Sequence, residues 1–164
     1  GCVTLTSIFE SRAGKGPLYA IDSETGWISE NVTGTWLLTE SLYIEDGNVL
    51  NVHGGPDGDC DELRLLSNNE TFINLRAYGG GLSFMDTKVF SWDDYAGTYD
   101  MDLADGRSYI SALSEVIYEP TLNCSGMANN EMGEGRMDII RSEMGYLGYY
   151  ESESYGLTWK VRIT

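Results

Sequence analysis

The chain has 164 residues, 41% of them hydrophobic, and carries 26 Asp and Glu against 10 Lys and Arg, a formal charge of -16. That length suits one domain with a core of its own, and no apolar run approaches the roughly 18 to 20 residues a membrane-crossing helix needs, so no membrane insertion is expected. The acidity makes nucleic acid and anionic lipid poor partners and fits a solvated surface suited to secretion or salty surroundings.

Residues 1–33 are weakly patterned and begin without Met or an apolar signal segment. They read as a leader or cap that packs on the patterned region C-terminal to them. From Gly34 the character changes. Short apolar stretches, often β-branched or aromatic, recur between Gly, Asp and Asn: GTWLLTESLYIEDGNVLNVHG, CDELRLLSNNETFINLRAYGGGLSFMDTKVFSWD, DGRSYISALSEVIY, GRMDIIRSEMGYLGYY and YGLTWKVRIT. Strand centres fall near Leu50, Ile73, Phe84, Ile110, Ile139 and Trp159. No segment shows a helical period. The spacing suits an antiparallel sandwich or a solenoid of stacked coils. Asp-Gly pairs at 46–47, 57–58 and 105–106 favour hairpins, whereas the unequal strands around them favour coils.

Three cysteines, Cys2, Cys60 and Cys124, form no Cys-x-x-Cys pair, and the single His53 completes no zinc spacing with them. Sequons at Asn31-Val32-Thr33, Asn69-Glu70-Thr71 and Asn123-Cys124-Ser125 suit a secretory route. In that setting the expected disulfide is Cys60 with Cys124, leaving Cys2 over.

Gly54–Glu62, GGPDGDCDE, resembles a calcium loop until its spacing is checked. An EF-hand loop starting at Asp57 needs Gly where Glu62 stands and Glu where Asn68 stands, and a glycine-rich calcium repeat needs Gly where Asp57 stands. An acidic turn remains, and no motif indicates calcium or another cofactor. Gly79-Gly80-Gly81 joins two strands and presents no helix N-terminus to phosphate. His53 reads as a strand-end residue, and no nucleophile motif is present.

One pattern points to a ligand. With Leu63, Leu65, Ile73, Leu75, Leu157, Trp159 and Val161 facing inward, the period of two places Arg64, Asn74, Arg76, Lys160 and Arg162 outward. In a solenoid such positions align from coil to coil. An acidic chain that sets scarce basic residues on sheet faces is equipped for a local groove that takes an anion.

The runs from Gly34 to Val161, notably LSFMDTKVFSWD and ESYGLTWK, resemble the mannuronan C5-epimerases, brown-algal ones above all. The resemblance implies an all-β, right-handed parallel β-helix with residues 34–164 as its coils and 1–33 before them. It further implies secretion to the extracellular space or cell wall, and an isomerase acting on alginate that inverts β-D-mannuronate to α-L-guluronate. Such chemistry neutralises the uronate carboxylate, removes the C5 proton from one face and returns one on the other. The family's Asp-Pro-His-Asp motif is absent, so no catalytic residue transfers; Tyr155, Lys160 and Arg162 are the expected lining of a polymannuronate groove. The chain then reads as the N-terminal portion of a longer epimerase, its last coil uncapped. A non-catalytic alginate-binding module and a polyuronate lyase are the alternatives.

Overall fold

The structure, a computed structural model, describes residues 1–45, 47–115, 124, 134–150 and 155–162, without the side chains of Glu115 and Arg162. In chain order the elements are β1 (Cys2–Thr4), α1 (Leu5–Ser11), β2 (Leu18–Ile21), β3 (Ile28–Ser29), β4 (Thr35–Leu38), β5 (Leu42–Ile44), β6 (Val49–His53) and β7 (Glu62–Leu66). Beyond these lie β8 (Asn74–Tyr78), β9 (Gly81–Met85), β10 (Lys88–Asp93), β11 (Thr98–Tyr99), β12 (Tyr109–Glu115), β13 (Arg136–Ile140), β14 (Glu143–Gly145) and β15 (Leu157–Arg162).

From β4 onward the chain visits three sheets in a fixed cycle. Sheet I has the order β11-β10-β7-β4-β2-β3 with β14 also on β10, sheet II the order β15-β12-β8-β5, and sheet III the order β1-β6-β9-β13. Each pass lays its strand parallel to the equivalent strand of the pass before: Thr35 beside Glu62 and Glu62 beside Lys88 in sheet I, Leu42 beside Leu75 and Leu75 beside Ile110 in sheet II, Val49 beside Gly81 and Gly81 beside Arg136 in sheet III. The molecule is therefore all-β with parallel stacked sheets, and a sandwich is excluded because its sheets would be antiparallel. The only antiparallel pairings between named strands are β2 with β3 and β4, and β10 with β11, among the described residues.

Parallel in-register stacking makes like sit on like. The inward rows Trp36–Leu63–Val89, Leu42–Leu75–Ile110–Leu157 and Leu50–Leu82–Met137 pack into one continuous core. Leu63, Leu65, Ile73 and Leu75 are buried, as the alternation predicts. Trp159 and Val161 depart from it: they continue inward rows, yet β15 is the outermost strand of sheet II and both are exposed.

A helical turn the alternation does not announce lies at the start. Leu5, Ile8 and Phe9 at i, i+3 and i+4 give α1 an apolar face, and Thr4 with Ser7 closes a capping box. Seven residues are too few to stand alone in water, so packing holds them. Phe9 meets the buried Trp36 edge-on at 5.5 Å, and Asp59 Oδ2 accepts hydrogen bonds from the Thr6 amide (2.9 Å) and hydroxyl (2.6 Å). The Asp59 carbonyl accepts the Trp36 indole N–H at 2.8 Å. The acidic turn 54–62 thus places a carboxylate at a helix N-terminus, where it is favoured.

The cysteine pairing differs from expectation. Cys2 is bonded to Cys124, and Cys60 is free and buried. Cys60 belongs to the core, with the Thr87 hydroxyl against its sulfur, whereas Cys2 sits on β1 directly beside Val49, the residue against which Cys124 packs. Burial pushes the Cys60 thiol up to about 12. At the corner between sheets III and I, Asp86 and Arg141 occupy equivalent left-handed positions (φ 52 and 47) and form a two-point ion pair at 2.7 and 3.0 Å. The hydrogen bond from Arg141 holds the Asp86 carboxyl below its ordinary range.

Thiol titration at pH 8 without reductant is expected to find no reactive group in the folded protein and one after unfolding, since a thiol of pKa about 12 is about one part in ten thousand thiolate. Reduction of Cys2–Cys124, which closes a span of 122 residues, should cost about 2–5 kcal/mol in urea unfolding. Separately, the Asp86–Arg141 pair stabilises the fold above the unfolded carboxylate pKa, and that contribution is lost as pH falls through the lowered folded value. Carboxyl NMR should show Asp86 titrating low, and returning to the ordinary range in Arg141→Ala.

Candidate functional site

The outer face of sheet II carries three described rows, set by register. Asn74 lies beside Tyr109; Tyr43, Arg76, Ser111 and Thr158 form the next row; Tyr78, Leu113 and Lys160 form the third. Each is outward because its neighbours Leu75, Ala77, Ile110 and Ala112 are buried in the core. A fourth position pairs Glu115 with Arg162, whose side chains lie outside the description.

Arg76 is the centre of this face. Its Nη1 donates to the Tyr78 hydroxyl at 3.1 Å, its Nη2 donates to the Tyr109 hydroxyl, and its guanidinium carbon lies 5.0 Å from the Tyr109 ring centroid. Asn74 Nδ2 donates to the same Tyr109 oxygen at 3.2 Å, and Tyr43 packs against Tyr78 with centroids 5.7 Å apart. Burial by itself would lower the Arg76 pKa, but the Tyr109 and Tyr78 oxygens outweigh it and hold the group above its ordinary value. It stays a cation.

Two details distinguish this face. Three polar atoms on it are buried without a hydrogen-bond partner: Arg76 Nε, Asn74 Oδ1 and Thr158 Oγ1. Buried polar atoms are nearly always paired, so these three on adjoining rows are departures from the rule. The second detail is charge. Arg64, Arg136 and Arg141 each contact a carboxylate, and Arg107 binds the Gly148 and Leu147 carbonyls at 3.0 and 3.2 Å. Arg76 instead contacts two neutral phenols, which orient it without cancelling its charge.

The expected groove residues distribute unevenly. Lys160 is exposed on the sheet II face, one row from Arg76. Tyr155 is exposed at the corner before β15, where it lines a hollow of about 340 Å³ with Arg107 and Tyr146. The backbone of Arg162 continues the same strand as Lys160. Asn74 and Arg76 take the outward positions that alternation assigns them, but Arg64 lies on sheet I and cannot share their groove. Tyr109, Tyr78 and Tyr43 escape a reading of the sequence because strand tyrosines look like packing; their outward parity is the available signal. His53 ends β6 on sheet III, its Nε2 2.8 Å from Ser83 Oγ, on a different sheet from Arg76. Among the described residues no group of three or more His, Cys, Asp or Glu side chains is placed to hold a metal.

No family model matches the chain, and no curated protein matches it by sequence. A solved structure of similar fold is the crystal structure of the periplasmic alginate epimerase AlgG, with a TM-score of 0.62 at 16% identity, covering 96% of this chain and 29% of that one. The chain spans less than a third of that neighbour's length. Replacing Tyr109 with Phe strips the acceptor shared by Arg76 Nη2 and Asn74 Nδ2. Urea unfolding should show a loss of about 1–2 kcal/mol, and Asn74→Ala in the same background should recover part of it by removing one stranded donor. At 16% identity the likeness shows the fold alone: the chain folds like part of that alginate epimerase.

Proposed function

We propose that the outer face of sheet II binds alginate, and that the chain supplies polymer-binding coils to a mannuronan C5-epimerase of the brown-algal type. The coils form a right-handed parallel β-helix, residues 1–33 cap it, and the protein works outside the cell or in the wall. The observation that carries this reading is Arg76, a partly buried cation held by two phenols and, among the described residues, in contact with no carboxylate. A uronate ring offers a carboxylate for the cation and hydroxyls for the polar rows around it. Lys160, and Arg162 beyond it on the same strand, extend the basic line toward a neighbouring residue of the polymer.

Chemically, epimerisation removes the C5 proton of mannuronate and returns a proton to the opposite face, with negative charge building on the carboxylate between the two steps. A guanidinium fixed at that carboxylate favours the charged intermediate over the ground state. The residues of this chain bind and orient the uronate. Proton transfer is assigned to other residues of the enzyme, because the chain lacks Asp-Pro-His-Asp and its His53 lies on sheet III. That same separation favours, as a second reading, a module that binds alginate without turning it over. The overall charge of -16 does not prevent approach to a polyanion in marine salt, where the Debye length is about 4 Å and local groups decide.

Calorimetric titration with a mannuronate hexamer tests the site. Arg76→Gln is expected to weaken binding about tenfold or more, the loss of one charge-assisted hydrogen bond, and the exposed Lys160→Glu to weaken it severalfold. Unaltered affinity in both variants, with their urea midpoints intact, would remove sheet II from consideration. Guluronate appearing in the polymer NMR spectrum when the enzyme contains the sheet II face, and vanishing with Arg76→Gln, separates the catalytic reading from the binding module.

A further inference from the structure

Sheet I carries a second hollow that the alginate reading does not use. Two antiparallel hairpins leave the coil at opposite ends of this sheet: β2–β3, with Ile21 beside Ile28, and β10–β11, with Trp92 beside Tyr99. Thr25, Gly26 and Ile28 of the first and Asp94 and Gly97 of the second line one hollow of about 390 Å³. Its floor is Leu37, Arg64 and Trp92 on the outer face of β4, β7 and β10.

The floor is rigid and its charge is already balanced. The Arg64 guanidinium carbon stands 3.8 Å from the centroid of the Trp92 ring, and Arg64 Nε donates to Glu62 Oε2 at 2.6 Å, with both side chains about 15% exposed or less. Glu62 Oε1 accepts the Tyr99 hydroxyl at 3.2 Å. Burial and the Glu62 charge both push the Tyr99 phenol up, so it stays a neutral donor. With Arg64 matched by Glu62, Asp94 on the rim leaves the hollow net negative. An anion is disfavoured here, in contrast to the unspent cation on sheet II.

What remains is an amphipathic lining: apolar Ile21, Ile28 and Leu37, an indole stacked with a guanidinium, and the polar Thr25 and Asp94. Trp27 and Tyr95 are each one residue from a lining residue and are 77% and 67% exposed, aromatic rings held in solvent at the two hairpin tips. Flat apolar surface with a few oriented hydrogen-bonding groups suits a pyranose ring, whose C–H faces are apolar and whose rim is hydroxyl. We propose that this hollow binds a neutral hexopyranosyl unit of a polysaccharide, so that the protein holds an uncharged glycan on sheet I independently of what occupies sheet II.

The test is tryptophan fluorescence and calorimetry of the 164-residue chain with two neutral hexamers, cellohexaose and mannohexaose, and with a mannuronate hexamer. Saturable binding of a neutral hexamer is expected, unchanged between about 0.05 and 0.5 M NaCl because no ion pair with the ligand is involved, and not displaced by the mannuronate hexamer. Ile28→Asp on the exposed rim should weaken it fivefold or more, Asp94→Ala should weaken it severalfold, and Arg76→Gln on sheet II should leave it unaltered. Absence of saturable binding by both neutral hexamers overturns the proposal. So does binding that rim substitutions leave intact, or that the mannuronate hexamer displaces. Failure on sheet II alone, with neutral binding retained, counts against the alginate reading and not against this one.

Discussion

The register of β12 against β8 and of β15 against β12 is the constraint on which the sheet II face depends. Ser111 lies directly beside Arg76 and Thr158 beside Ser111, so the row that holds the guanidinium is set by main-chain pairing and not by the side chains themselves. A slip of one residue would turn Arg76, Asn74 and Tyr109 into the core and push Leu75 and Ile110 into solvent. The Leu42–Leu75–Ile110–Leu157 row, buried at Leu75 and Ile110 and half-buried at its ends, opposes that slip, since burying a leucine is worth about 1.5–3 kcal/mol and an unpaired buried arginine costs more. The hydrophobic core therefore aims the polar face.

Electrostatics then separates the two outer faces. On sheet I, Arg64 spends its charge on Glu62 two residues back along the same strand, and its planar surface on Trp92. On sheet II the equivalent alternation puts Asn74, not a carboxylate, two residues before Arg76. That single difference leaves one arginine neutralised and the other not. Arg76 keeps its charge beside phenols that orient it, where Arg64 has a carboxylate within 2.6 Å.

The alternation of Leu63, Leu65, Ile73 and Leu75 was legible because a strand has only two faces and burial selects one. Which sheet an outward residue joins was not legible. Arg64 and Arg76 share the same parity, but the chain turns a corner between them at residues 67–73, and parity carries no record of a corner. The disulfide was illegible for a related reason: Cys2 and Cys124 meet at Val49 because β1 pairs with β6, a contact far apart in sequence, whereas Cys60, in the turn before β7, is buried in the core. Helix α1 escaped because seven residues give barely two turns, and its stability resides in Trp36 and Asp59, neither of which is local to it.

The coil and its departures divide the work between them. Parallel stacking repeats the same row from pass to pass, which suits a polymer whose units repeat, and it is on such rows that Arg76, Thr158 and Lys160 lie. Hairpins break the repeat and enclose space, which suits one unit of a different chain, and it is between β2–β3 and β10–β11 that the sheet I hollow forms. The hollow between the hairpins, with Arg64 matched by Glu62 and Asp94 on its rim, is shaped for a single uncharged ring, while the parallel rows of sheet II suit a run of charged ones.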